Sequence, residues 1–328
     1  MGKSIAANAF TLLIVALLAL SGGILWGKAE YTKPGPLTEP VVFTLERGEG
    51  LVSASARLAE AGVISNDRIF RIAARYSGQD TKLKFGEYEF SAGVSMQDAL
   101  GILVSGRSIQ YFVTLPEGLY SSEIVKIINA NEFLVGEIET LPAEGMLAPE
   151  TYSFQRGDSR QSIIDRMTRA QEQILDEAWA NRAEGLPLAS KEDLLILSSI
   201  VESEAGGAGE WALVASVFYN RMAANMRLEA DATIRYGLTE GAERLRRGLR
   251  QSELDRETPY NTYFIKGLTP TPISNPGKDA IFATANPAES KYYYFVLDGS
   301  GGHAFAQNYA EHQENVRRWR AIERERSN

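Results

Sequence analysis

The hydrophobic pattern is most one-sided at the N-terminus, where 22 residues from Ile5 to Trp26 pass without a charge. A helix rises about 1.5 Å per residue, so roughly 20 residues span a hydrocarbon core of about 30 Å, and this run is long enough. Lys3 precedes it, and Trp26 closes it where an interfacial aromatic is expected. A secretory signal carries only about 7–15 apolar residues, which favours a retained single-pass anchor over residues 1–28. The triplet Gly27-Lys28-Ala29 leaves cleavage open as the alternative. Pro34, Gly35, Pro36 and Pro40 then predict an extended linker over 29–40, because proline resists helix formation.

Beyond Val41, strand-like runs alternate with helical spacing. A strand is expected over 41–45, and Leu51, Ala54, Leu58 and Ala61 recur as one face of a helix that Gly62 stops. A second helix follows from Asn66 to Tyr76, a strand over 86–90, and a third helix from Ser95 to Val104. This order makes 41–108 a small α+β unit, and it resembles LysM-type modules, which bind glycans containing N-acetylglucosamine. Residues 109–328 read as a larger α+β domain. It opens with a strand over 111–115 and a helix over 121–129 capped by Ser121, and carries a long helix over 159–180 with one charged, solvated face. The expected fold class is α+β behind a single N-terminal transmembrane helix.

Composition narrows the chemistry. A formal net charge of -8 gives no concentrated basic face for phosphate, so nucleic acid is not an expected partner. There is no cysteine, and His303 and His312 are the only histidines, so no metal or cofactor is expected. The chemistry must rest on carboxylates, hydroxyls and amides.

Ser190 can cap a helix whose first turn holds Glu192 and Asp193, and the run from Leu194 to Leu197 carries that helix into a core. Glu202 lies one turn beyond Ser198 and Ser199 and two beyond Leu195, on a mostly apolar stripe. Burial there raises a carboxyl from about 4.3 to roughly 6, the range of a general acid. Glu204 is two positions on, about 200° around the helix, so the two acids cannot share one site while the helix persists. Ala205-Gly206-Gly207 is a place where it could end. On helix pattern alone, an ion-pair partner inside the fold is the readier reading of Glu202. The run Trp211 to Arg221 predicts a second buried helix on which Asn220 and Arg221 need partners.

Several segments together resemble the YceG-like family of endolytic murein transglycosylases. They are Ser199-Ile200-Val201-Glu202, Val217 to Arg221, Asp231 to Gly237, Tyr260-Asn261-Thr262-Tyr263, Ile273 to Gly277, and Gly301 to Phe305 with Glu311-His312. The segment Glu144 to Tyr152 is similar to the family's Glu-Gly-x-x-x-Pro-x-Thr-Tyr. Ala232, Thr269 and Thr271 depart from the family's usual residues. The resemblance implies that Glu202 is the catalytic acid, cleaving the bond between N-acetylmuramic acid and N-acetylglucosamine to leave a 1,6-anhydro end. It also implies an inner-membrane anchor with a periplasmic body, and partners among peptidoglycan synthases. Asn220, Glu229, Asp231, Tyr236 and Asn261 are the candidates for holding the glycan strand, while His303 and His312 are expected to order loops. Two rivals stay open: a non-catalytic glycan-binding scaffold, and a muramidase using a second carboxylate such as Glu229 or Asp231.

Overall fold

The computed structural model describes residues 2–205, 209–245 and 247–326. It is a mixed helix and strand structure in two compact units, Met1–Tyr111 with Ser153–Gly157, and Phe112–Tyr152 with Asp158–Asn328.

In the first unit, α1 (Gly2–Thr32) contains an apolar stretch over Ala7–Thr32 long enough to cross a bilayer and fits a single-pass anchor. The helix runs further than the linker expected from residue 29 allows. Pro34 is the first residue that cannot continue it, and Tyr31 packs on the unit's apolar cluster. The stretch after α1 is also tied down: Gly35 N donates to Gly93 O at 3.2 Å, and Gly93 N to Leu37 O at 2.7 Å.

β1 (Val41–Leu45) and β2 (Gly86–Phe90) pair antiparallel with Phe43 opposite Tyr88. Between them lie α2 (Leu51–Glu60) and α3 (Asp67–Tyr76), and α4 (Met96–Ser105) follows. Asn66 caps α3, its side chain accepting from Arg68 N and Ile69 N at 3.0 and 3.1 Å. Ser95 caps α4. Leu51, Ala54 and Leu58 turn inward as their spacing predicts, meeting Phe70, Tyr88, Phe90 and Leu100 in one core. The sequence reading ended this domain at 108 and did not include 153–157. Buried Glu87 explains their return, because it takes the Arg156 guanidinium at 2.6 Å and the Tyr111 hydroxyl at 2.5 Å.

β3 (Tyr111–Thr114) pairs with β4 (Thr151–Phe154). In the second unit, α5 (Ser121–Asn129) is capped one residue earlier than Ser121 suggests: the N-cap is Tyr120, whose N–H donates to the Glu123 carboxylate at 2.9 Å. Then come α6 (Arg160–Ala180), α7 (Lys191–Glu204), α8 (Trp211–Ala223), α9 (Asp231–Thr239) and the short α10 (Gln251–Leu254). The chain closes with α11 (Lys278–Ala285), the hairpin of β5 (Tyr294–Leu297) and β6 (His303–Ala306), and α12 (Tyr309–Arg326).

α7 is the axis of this unit. Every residue from Leu194 to Val201 is buried, so the helix is enclosed on all sides. Leu197, Ile200 and Val201 pack with Val214 and Phe218 of α8, while Leu194 and Leu195 pack with Leu175 and Ala178 of α6 and Ile281 of α11.

Two substitutions on α3 test this assignment of faces. Phe70→Ala should cost about 3–5 kcal/mol of unfolding free energy, whereas exposed Ile72→Ala should stay within about 0.5 kcal/mol. Urea unfolding of the detergent-solubilised chain measures both.

Candidate active site

The last turn of α7 delivers two carboxyls to opposite surroundings, as the 200° rotation between Glu202 and Glu204 requires. Glu202 is half-buried, and its Oε2 accepts from Gly277 N at 3.0 Å. Burial pushes its carboxyl up to about 7; the Gly277 N–H opposes this, and the nearby acids Glu117 and Asp279 reinforce it. Glu117 also closes over Gly277: a Cβ there would sit 2.1 Å from Glu117 Oε1, so that exposed side chain would have to move aside.

Glu204 faces the other way. The residue is half-buried, but its carboxyl is closely enclosed, and burial pushes it up to about 7. The Ala232 N–H donates to its Oε1 at 3.1 Å and opposes the rise, Asp231 adds to it, and the Arg235 guanidinium lowers it. The Ala232 N–H belongs to the first turn of α9, where unpaired backbone donors face outward.

Glu204 lines a cavity of about 420 Å³, together with Glu229, Asp231, Arg221, Tyr263 and Tyr294 among others. Glu202 is not part of its wall. Its lining combines the acids Glu204, Glu229 and Asp231 with a second set of residues from β5, His303, Tyr309 and His312.

Arg221 ties the two sets together. Its buried guanidinium donates from Nε to Tyr293 O at 2.7 Å, and from Nη1 to Arg227 O at 2.9 Å and to the Glu229 carboxylate at 2.9 Å. Glu229 sits in the left-handed region with φ of 54°, which a non-glycine residue holds only when its surroundings fix it. Here the ion pair to Arg221 and the Glu229 N–H to Thr262 O bond at 3.2 Å do so. Asp231 begins α9 and accepts from the Tyr263 hydroxyl at 2.9 Å. Burial, with Asp231 next, raises the Tyr263 hydroxyl well above its usual range, so it stays a donor.

In the second set, the Tyr294 ring carries the Arg221 guanidinium 5.1 Å over one face and stacks with His312 at 5.1 Å and 24°. Burial, and then Arg221, depresses the His312 pKa. His303 is clamped by Glu210, which accepts from its backbone N–H at 2.8 Å and meets its Nδ1 at 2.7 Å. This anchors the start of β6 to the approach of α8.

Of the residues singled out by sequence, Glu229 and Asp231 meet at this cavity. The other three have partners inside the fold and lie outside its lining. Asn220 Nδ2 donates to Ser290 O and Tyr292 O at 3.1 and 2.9 Å. Tyr236 is buried in an aromatic cluster with Tyr120 and Tyr260. Asn261 Nδ2 donates to Leu254 O and Arg256 O at 2.9 and 2.7 Å. The cavity residues not singled out as site candidates include Glu204, Arg221, Tyr263 and Tyr294. Helical spacing signalled Glu204, since it alone separates that residue from Glu202. Gly206 and Gly207, named as a possible helix end, lie outside the described residues. Among the described residues, no group of histidines and acids is arranged to hold a metal ion.

Residues 43–318 match the YceG-like family, and the chain belongs to it. Among its curated relatives, a protein of Streptococcus pneumoniae serotype 2 (strain D39) named endolytic murein transglycosylase is 27% identical over 323 residues. That match covers 84% of this chain and 58% of the relative. The chain thus spans less than two thirds of the pneumococcal protein's length. A protein of the same name from Bacillus subtilis (strain 168) is 25% identical over 338 residues, covering 90% of each. The crystal structure of a putative yceG-like protein from Listeria monocytogenes superposes with a TM-score of 0.53 at 28% identity, over 84% of this chain and 98% of the other.

The raised Glu204 pKa has a consequence for stability. With a folded value of about 7 against 4.5 for a free carboxyl, the native state holds the extra proton, so this contribution is complete below about pH 4.5 and is lost as pH rises through 7. Glu204→Gln should therefore raise the Tm relative to the unmodified chain more at pH 8 than at pH 5. Thermal unfolding at the two pH values checks it; an equal shift at both would mean that Glu204 titrates as an ordinary surface carboxyl.

Proposed function

We propose that this chain is a membrane-anchored peptidoglycan lytic transglycosylase that cuts within glycan strands, with Glu202 as the acid and then the base. The observation that carries the reading is a half-buried carboxyl with a pKa near 7 at the end of α7, beside the further acids Glu117 and Asp279 and in the Ser199 to Glu202 segment that resembles the family's. The names of the relatives, endolytic murein transglycosylase, support the substrate and reaction class. Glu204, whose carboxyl is also pushed up to about 7 and lines a cavity with Glu229 and Asp231, is the second candidate for the acid.

In this mechanism protonated Glu202 donates to the glycosidic oxygen between N-acetylmuramic acid and N-acetylglucosamine, and the bond from that oxygen to the muramyl C1 breaks. The muramyl 6-hydroxyl closes on C1, and Glu202, now a carboxylate, takes the proton from it. The product is a 1,6-anhydro end, no water is consumed, and the acid is regenerated. A pKa near neutrality suits a group that must give a proton and then recover one. Glu117 and Asp279 beside Glu202 would offset positive charge developing at C1, while Glu229, Asp231 and Tyr294 would hold the strand, the ring offering a face for pyranose C–H groups. The LysM-like reading of the first unit assigns it to glycan binding. In this reading the body lies on the periplasmic side of the inner membrane, with peptidoglycan synthases as its partners.

Three acids around one cavity also fit a muramidase that uses water, and the product separates the two. Mass spectrometry of strands incubated with the detergent-solubilised full chain should show 1,6-anhydromuramic ends. Glu202→Gln should slow their formation by about 10²–10⁴-fold, the usual range for a general acid–base group, and Glu204→Gln should leave it within about tenfold. Reducing ends would assign the hydrolase. Retained activity in Glu202→Gln with loss in Glu204→Gln would move the acid role to Glu204. Strands bound but uncut by the unmodified chain would favour the scaffold.

A further inference from the structure

The outward face of α3 has no role in the proposed reaction. Phe70 and Ala74 fill the unit's core. About 200° around the helix from each, Ile72 and Tyr76 point away from it, 68% and 94% exposed. Arg68 and Arg75 are exposed on the same face, one turn to either side of Ile72. An isolated exposed apolar residue needs no explanation. A tyrosine and an isoleucine interleaved with two arginines on one helical stripe form the pattern of a helix lying in a membrane interface.

The position of α3 relative to α1 gives that stripe its ligand. α1 packs on α3 and α4. Tyr31 joins the apolar cluster, and the Ser65 hydroxyl, just ahead of α3, donates to the Glu30 carboxylate at 3.2 Å. Tyr31 lies five residues beyond Trp26, the last residue of the uncharged run. At about 1.5 Å per residue the separation along the helix is about 7.5 Å, and the headgroup layer on each side of a bilayer is about 7 Å deep. The anchor therefore holds α3 at headgroup height. Lys28, also exposed, adds a third positive charge on α1 between Trp26 and Tyr31.

We infer that α3 is a second membrane contact, with Arg68, Ile72, Arg75 and Tyr76 seated on the headgroups of an anionic bilayer next to the point where α1 enters it. This rests on α1 crossing that bilayer and is independent of which carboxyl is catalytic. A span alone leaves its attached unit free to rotate about the anchor axis; a second contact fixes which way the unit faces.

The chain has no cysteine, so Tyr76→Cys in the full-length protein accepts a single environment-sensitive fluorophore. Val52→Cys on α2, also exposed, serves as the comparison. Both are reconstituted into vesicles containing phosphatidylglycerol or phosphatidylcholine alone, each doped with a headgroup-spin-labelled quencher. The label at 76 should be blue-shifted and several-fold more strongly quenched than the label at 52, and only where phosphatidylglycerol is present. Arg68→Glu and Arg75→Glu, each in the labelled background, should lower the docked-to-free ratio by at least about fivefold, the equivalent of about 1 kcal/mol per lost basic residue. A label at 76 that reports water in both lipids overturns the inference, as does quenching unaffected by either charge reversal. Protection of the label by soluble glycan strands rather than by anionic lipid would make this face a sugar surface and overturn it equally.

Discussion

Burial of α7 on every side is the constraint on which the second unit depends. A helix with apolar residues from Leu194 to Val201 all withdrawn from water cannot rotate about its axis without exposing one of the two cores that hold it. Its last turn is therefore fixed in azimuth. Glu202 must point toward Gly277 and Glu204 toward the start of α9, whatever the loops around them do. The same burial takes both carboxyls partly out of water and raises their pKa values. Positioning and tuning thus come from one source. The hydroxyls of Ser198 and Ser199 do not disturb this packing, because they return their protons to Leu194 O and Ile196 O of the same helix.

Arg221 is the second fixed point. A buried guanidinium is tolerated only when its donors are matched, and here they reach the 227–229 segment and the entry to β5 at once. Both segments contribute to the cavity lining, so one cation on α8 holds them together. It also holds Glu229 in a backbone conformation that a glutamate would not adopt alone, which aims that carboxyl into the cavity. Removing the charge would free Glu229 to relax, and a wall of the cavity with it.

Much of this was legible in the sequence where the reason is local. β1, β2 and the core face of α2 follow from alternation and helical spacing, and Asn66, Ser95, Ser159 and Ser190 cap helices as short polar residues do. What was hidden depends on distant partners. Tyr31 keeps α1 helical past residue 28 because it meets a core built from later residues. Glu87 gathers Arg156 from about 70 positions away. Asn220, Tyr236 and Asn261 read as free polar groups until their partners are known, and each has one inside the fold. Helical periodicity correctly separated Glu202 from Glu204. It could not say what surrounds either, because the lining of the cavity that Glu204 meets includes residues 293–312, some 90 positions downstream.

A raised carboxyl pKa therefore does not by itself identify the acid in this chain. Glu202 and Glu204 lie two residues apart, both are pushed up to about 7, and burial is the leading cause for each. If burial were the criterion they would be equal, and perturbed carboxyls also arise inside structural networks. Each also has acid neighbours that keep the proton on: Glu117 and Asp279 for Glu202, Asp231 for Glu204. The negative charge that holds a proton on such an acid would also be available to a positive anomeric carbon, so the tuning of the acid and the electrostatic role of its neighbours are one arrangement. For Glu202 those neighbours come from the β3–α5 connection and the first turn of α11, and the residue ends the segment by which the chain resembles its family. The acid role is proposed there on those two grounds together, because depth of burial does not separate the two glutamates.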